Sequence, residues 1–285
     1  MKVLIIQEKG RHEKNWMYRE SLCIQRALTH IGYESTVWGL NYENFNIPFD
    51  EMEKTHDVIF LIENYPYNDW IPDLSNSNKL KVFWSIDSHV GLNDHINMAN
   101  KHKIDVVLNS VYGHEKFFSN HKTFYFPNAF PDELIKPLEM DKTYDVGFCG
   151  NINNRGGWIN ELKNKFNFKL DEFVIGYDMV ESINSYKIHF NRNISDDLNY
   201  RTFETLGCKT FLMTNETPGL KSLFEVGKHL LTYDSMGDLL EKIDYYLKNE
   251  SERLVIANNG YEHVKKNHTY IKRMEFFVDE INKLI

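Results

Sequence analysis

The sequence predicts an α/β protein made of two domains in tandem, each a parallel sheet covered by helices on both faces. Three observations carry that prediction. The chain has 285 residues, a length that suits two domains of ordinary size. Short apolar runs alternate with segments whose apolar residues recur at helical spacing, the pattern of strands buried on both faces. The alternation stops at a charged, proline-containing stretch, Ala129 to Thr143, and then starts again.

In the first domain, residues 1–130, KVLII opens as a strand and QEKGRHEKNW follows as a polar loop containing Gly10. MYRESLCIQRALTHIG then has apolar residues at helical spacing and a glycine stop at Gly32. ESTVWGL, DVIFLIE, KVFWSID, DVVLNS and KTFYFPN read as strands. An acidic helix, the helical NDHINMANKHK and the short helix GHEKFFSN lie between them. Residues 131–143 read as the interdomain linker. In the second domain, residues 144–268, YDVGFCGN is a strand ending in glycine, and FKLDEFVIG, IHFNRN, KTFLMTN and HLLTYD are further strands. The helices GGWINELKNKFN, MVESINSYK, NYRTFETLG, GLKSLFEVG and MGDLLEKIDYYLKN separate and follow them, in a Rossmann-like order. Residues 269–285 form a last helix, expected to pack back on the first domain through its periodic apolar residues. Two Rossmann-like domains facing each other across a cleft make the GT-B layout. A periplasmic-binding-protein layout or an unrelated two-domain enzyme fits the same string of elements, so the site must decide function.

Composition excludes some classes. Apolar and charged fractions of 42% and 26% are those of a globular chain. The formal charge is −8, with an acidic balance in both halves, which argues against a general polyanion binder. Lys9, Arg11, Lys14 and Arg19 are the feature that keeps DNA open as a partner, and they read equally as a solvated loop and helix face. Cys23, Cys149 and Cys208 are odd in number, sit in apolar contexts and show no zinc spacing, so they read as reduced core thiols. The opening apolar run is too short for a signal peptide and no later run suffices to span a membrane, which places the chain in the cytosol.

Ligands of open α/β sheets sit outside the carboxyl ends of the strands, where helix N-termini offer free N–H groups that suit phosphate. Three segments of the second domain fit that logic. FCGNINNRGGW places Gly150 at a strand end and Arg155 in a glycine-flanked turn, where a guanidinium makes a bidentate contact with a diphosphate or simply stays solvated. NRNISDDLNYRTFE places Ser195 or Asp196 as a helix cap and puts Arg201 and Glu204 on one helical face, as a surface ion pair or as a ligand-binding pair. The Thr-Pro-Gly turn in NETPGLKSLFEVG falls near the same edge.

These residues also carry a resemblance. SINSYKIHFNRN, LNYRTFETLGCKTFLMTN, LFEVGKHLLTY and the run from DLLEKIDYYLKN to YIKRM, in that order, resemble the group 1 glycosyltransferases, in particular the spore-maturation CgeB-like branch, over roughly residues 145–280. The resemblance implies transfer of a sugar, with retention, from a nucleoside-diphosphate sugar, a UDP-sugar, to an acceptor hydroxyl, by a GT-B enzyme without metal or other cofactor. It implies that Glu204 holds the donor ribose, that Arg201, Arg155, Gly150, Asn199 and Tyr200 belong to the donor nucleotide site, and that Asp196 stands where relatives carry a second acidic residue. The strand end VFWSIDSHV is similar to that of these proteins and makes Asp87 and His89 the candidate catalytic groups of the first domain, with His12 of the same positional standing. As structural alternatives, Asp87 caps the next helix and His89 is an ordinary loop histidine. His95, His102 and His114 fall on predicted helices and read as solvated. The acceptor is open: glycan, polymer, protein or a hydroxylated DNA base. Two other functions compete, a nucleotide-sugar epimerase and a non-catalytic surface-assembly protein of the same fold.

Overall fold

A computed structural model describes residues 1–64 and 68–284, and the chain divides into two compact units, Met1–Pro127 with Tyr270–Ile285 and Asn128–Thr269. The first unit holds β1 (Lys2–Ile6), α1 (Glu20–His30), β2 (Glu34–Trp38), α2 (Phe49–Lys54), β3 (Val58–Ile62), β4 (Leu80–Ser85), α3 (Ser88–Lys101), β5 (Val106–Asn109) and β6 (Lys122–Tyr125). Its strands pair in parallel in the order β2-β1-β3-β4-β5-β6. Alternation along each strand sends successive side chains to opposite faces. Ile59 and Leu61 of β3 thus join the cluster of Leu4, Ile6, Trp38, Phe83 and Phe118. Phe60 between them faces the other way and stacks on Phe277 at 4.8 Å. α1 stops where glycine permits a left-handed turn: Gly32 has φ of +86°, and the Tyr33 N–H closes the helix on the Leu28 carbonyl at 2.9 Å.

The second unit holds β7 (Tyr144–Gly150), α4 (Gly156–Lys165), β8 (Phe168–Glu172), α5 (Tyr177–Asn184), β9 (Tyr186–Phe190), α6 (Tyr200–Gly207), β10 (Phe211–Asn215), α7 (Leu220–Leu223), β11 (Leu231–Tyr233), α8 (Met236–Lys248) and α9 (Glu250–Asn267). Its parallel sheet runs β11-β10-β9-β7-β8. Val146, Phe148, Ile188, Phe190, Phe211 and Met213 form the centre of its core. Gly147 in mid-strand lets the Tyr186 ring cross β7, since a Cβ there would lie 2.2 Å from that ring. α10 (Tyr270–Ile281) then belongs to the first unit; position 285, the last of the segment expected as a helix, lies outside the described residues.

GHEKFFSN forms the expected short helix, as a 3-10 helix at His114–Phe118. Other local expectations are corrected. His95 and His102 are buried rather than solvated: the His95 ring bonds Ser85 Oγ at 2.6 Å, and His102 Nδ1 accepts the Leu74 N–H at 3.3 Å. His114 bonds Ser88 Oγ at 3.0 Å. Neither Ser195 nor Asp196 caps a helix, because α6 begins at Tyr200 with Asn199 in the cap position. Among the described residues no helix is long and apolar enough to cross a membrane.

Candidate active site

In the second unit the connections leave the middle of the sheet in opposite directions. β7 leads outward to β8, whereas β9 leads through β10 to β11 on the other side, so the loops after β7 and β9 diverge from adjacent strands. Gly150 ends β7 with φ of +152°, a turn that a side chain would strain. The loop that follows delivers Arg155 to the start of α4, where it is buried. Its Nε and Nη2 both donate to the Arg192 carbonyl, at 2.9 and 2.7 Å, and its Nη1 donates to the Asn151 carbonyl at 2.9 Å and the Asn153 carbonyl at 3.4 Å. All three guanidinium nitrogens thus tie the loop after β7 to the loop after β9. This differs from a solvated arginine and from one aimed at a ligand.

The loop after β9 is held by side-chain amides, of which the sequence reading singled out only Asn199. Asn191 and Asn199 exchange reciprocal side-chain bonds at 3.3 and 3.2 Å, and Asn193 Oδ1 accepts the Asn199 N–H at 3.2 Å. Asn215, at the end of β10, accepts the Asn193 N–H at 2.6 Å, and Tyr233 of β11 donates to the Asn191 carbonyl at 2.8 Å. Three neighbouring strands, β9, β10 and β11, therefore fix where α6 starts. Asp196 is left exposed on a turn whose preceding residue, Ser195, has φ of +54°.

On α6, Arg201 and Glu204 form an ion pair through Nη1 and Oε2, and Arg201 Nε donates to the Cys149 carbonyl at 2.8 Å. Their side chains are 21% and 14% exposed, so this is no solvent-screened surface pair. Burial alone would disfavour the charged guanidinium, but the Glu204 carboxylate outweighs it and the Arg201 pKa is raised. Beneath the pair, the buried His189 accepts the Cys149 N–H on Nε2 at 3.2 Å, so Nδ1 carries the proton and donates to Thr205 Oγ1. Burial, then the charges of Arg201 and Lys142, push His189 down to about 3, which keeps it neutral. Burial raises the Cys149 thiol to about 11, so it is no nucleophile. Beside this ground lies a polar cavity of about 370 Å³ lined by Arg192, Asn215, Glu216, Asp234, Asp238 and Lys242 among others. Arg192 there packs its guanidinium 4.5 Å from the centre of the Trp158 ring. Gly150, Arg155, Asn199, Tyr200, Arg201 and Glu204 are thus brought to one edge of one sheet.

Asp87 and His89 belong to the other unit, after β4 and in the first turn of α3. Asp87 occupies the cap position of α3, yet its side chain makes no cap hydrogen bond. Glu63, at the end of β3, holds the corner instead: its Oε2 accepts the N–H groups of Ile86 and Asp87 at 2.6 and 2.7 Å, and its Oε1 lies 3.4 Å from His95 Nε2. The Asp87 carboxyl is pushed up to about 6, first by desolvation and then by the Glu63 and Glu20 carboxylates, although the residue keeps an exposed surface. Glu63 and His95 were missed because they come from different elements; a glutamate ending a fully apolar run was the one signal available. His12 is exposed on the loop after β1. Among the described residues no group of three or more His, Cys, Asp or Glu side chains is placed to hold a metal ion.

A model of the glycosyl transferase-like family matches residues 131–279, more than half of the chain. The chain belongs to the glycosyl transferase-like family. No curated protein matches it by sequence. Among solved structures it is similar to Anabaena HepE in complex with UDP and glucose, at 12% identity and TM-score 0.63 over 99% of this chain and 100% of that one. It is also similar to sucrose-phosphate synthase from Thermosynechococcus elongatus, at 9% identity and TM-score 0.66 over 100% of both chains. An alpha-glucosyltransferase in complex with UDP and a 13-mer DNA containing a HMU base matches at 12% identity and TM-score 0.67 over 99% of both. The two parallel-sheet units of this glycosyl transferase-like protein are those of the GT-B fold.

Proposed function

We propose that this glycosyl transferase-like protein moves a sugar from a UDP-sugar to an acceptor hydroxyl, with retention and without a metal ion. The observation that carries the reading is the shielded Arg201–Glu204 pair across the first two turns of α6, at the divergence of the loops after β7 and β9. The neighbours crystallised with UDP or UDP-glucose support the choice of donor base. In this reading Glu204 accepts the ribose hydroxyls. Arg201, the first N–H groups of α6 and the backbone at Gly150 receive the diphosphate, with Asn199 and Tyr200 shaping the entry. Arg155 acts one step back, by holding the two loops in register. Asp196 stands on the donor-sugar side as the second carboxylate of the family pattern.

The reaction breaks the bond from the anomeric carbon to the diphosphate oxygen and forms one to the acceptor oxygen. The acceptor proton leaves for the departing phosphate or for a carboxylate. Cationic and backbone donors stabilise the charge that builds on UDP, which is the service a metal gives elsewhere. The first unit is assigned the acceptor, with Asp87 and His89 as its candidate catalytic groups. Cys208-Lys209-Thr210-Phe211, standing where the usual glycine-proline segment follows the glutamate, support a reading within the CgeB-like branch. The compartment is the cytoplasm. The neighbour bound to DNA favours a hydroxylated base as acceptor and the charge of −8 opposes it, so glycan, polymer and protein hydroxyls stand beside it.

A thermal-shift panel of UDP, GDP, ADP, CMP and UDP-glucose tests the donor site. UDP at a hundredfold excess over its Kd should stabilise the protein by about 2.7 kcal/mol, a shift of a few degrees. Glu204→Gln, which keeps the shape of the side chain, should lose the shift. No shift with any nucleotide in a folded sample moves the assignment to a non-catalytic protein, and donor turnover to an isomeric UDP-sugar without acceptor makes it an epimerase.

A further inference from the structure

The amino edge of the second unit's sheet, opposite the candidate site, holds a pocket of about 690 Å³ whose lining includes Leu138, Met140, Lys142, Lys209, Leu254 and Val255. Its walls combine the amides of Asn184, Asn258 and Asn259 with apolar side chains left open to water: Met140 is 42% exposed, Leu254 50% and Val255 58%. Leu254 and Val255 are consecutive on α9, whose buried residues are Arg253, Ile256, Ala257, Gly260 and Val264, so the pair faces away from the core. Its charged lining residues are two lysines, with no aspartate or glutamate among them, in a chain of net charge −8.

Lys142 is fixed rather than free. Its Nζ donates to the Asn184 carbonyl at 3.1 Å and to Thr210 Oγ1 at 2.7 Å, which leaves one of its three N–H donors without a partner among the described residues. Burial, and the nearby Arg253 charge, bring this amine down to about 8, a sign of a cation short of counter-charge. An anion arriving there gains a charge-assisted hydrogen bond in a partly dry site, and an apolar body behind it covers the exposed side chains.

We propose that this pocket binds an amphipathic monocarboxylate, with the carboxylate on Lys142 and the apolar body against Met140, Leu254 and Val255.

The test uses the full chain and a fluorescent probe, dansylated undecanoic acid, with decanoate and decanol as competitors. The expected result is saturable one-site binding, displaced by decanoate and not by decanol at the same concentration. Lys142→Met should weaken it roughly tenfold or more, the worth of one charge-assisted bond. Because that change also removes the bonds to Asn184 and Thr210, Leu254→Glu at an exposed position is the second variant, and it should weaken binding by a similar factor while the thermal midpoint stays put. Absence of saturable binding overturns the proposal, as does equal displacement by decanol or wild-type affinity in Leu254→Glu.

Discussion

A carboxyl that keeps its proton up to about pH 6 can exchange it near neutrality, and Asp87 is such a group. If it takes the acceptor proton, the slow hydrolysis of the donor by water should rise with pH through a limb near 6. Asp87→Asn should erase that limb and lower the rate by roughly a hundredfold. Survival of the limb in Asp87→Asn would assign it to another group. The same shift sets a stability slope. The folded chain holds this proton more tightly than the unfolded chain, whose pKa is near the usual 3.8. The contribution of Asp87 to stability is therefore complete below that value and is lost as pH rises through about 6. Asp87→Asn should accordingly raise the thermal midpoint more at pH 8 than at pH 4. Little of this was legible beforehand. Asp87 was picked from its place after a strand, but its perturbation comes first from burial and then from Glu63 and Glu20, which the fold brings near it from distant parts of the sequence.

At the scale of elements, the loops after β7 and β9 act as one piece because Arg155 joins them. Arg155→Lys keeps a charge but cannot reproduce two bonds to the Arg192 carbonyl. It should lower stability by about 2 kcal/mol in chemical denaturation and raise KM for the donor more than it lowers kcat. A fall in kcat alone would instead make Arg155 a direct contact of the reacting diphosphate. The strands were legible because each is a short apolar run flanked by turn residues, and α1 and α8 because of their periodicity. The start of α6 was not. Ser195 and the following aspartates imitate a cap and an acidic first turn, yet the structure begins the helix at Asn199, where amides from the loops after β9 and β10 converge. Local propensity lost to a tertiary network that no single segment displays.

At the scale of the whole molecule, the chain leaves the first unit at Pro127 and returns to it at Tyr270. The returning α10 buries Tyr270, Met274, Phe277, Val278 and Ile281, and Arg273 Nε donates to the Pro127 carbonyl at 2.7 Å. A chain ended after Thr269 should therefore lose the first unit's protection in limited proteolysis while residues 128–269 stay resistant, read by mass spectrometry of the fragments. Equal resistance of both halves would show that α10 adds little to the core. The restart of the α/β pattern made the two-sheet fold legible. The periodic apolar residues of the last helix supported a packing role, and its partners became explicit only when Phe277 stacked on Phe60. That return has a consequence for how the protein is made. On the ribosome the first unit's strands emerge well before the helix that seals Phe60, because all of residues 128–269 is translated between them. The first unit waits for α10, and a ribosome that stalls between Thr269 and α10 releases a product in which residues 128–269 are complete and the first unit is not.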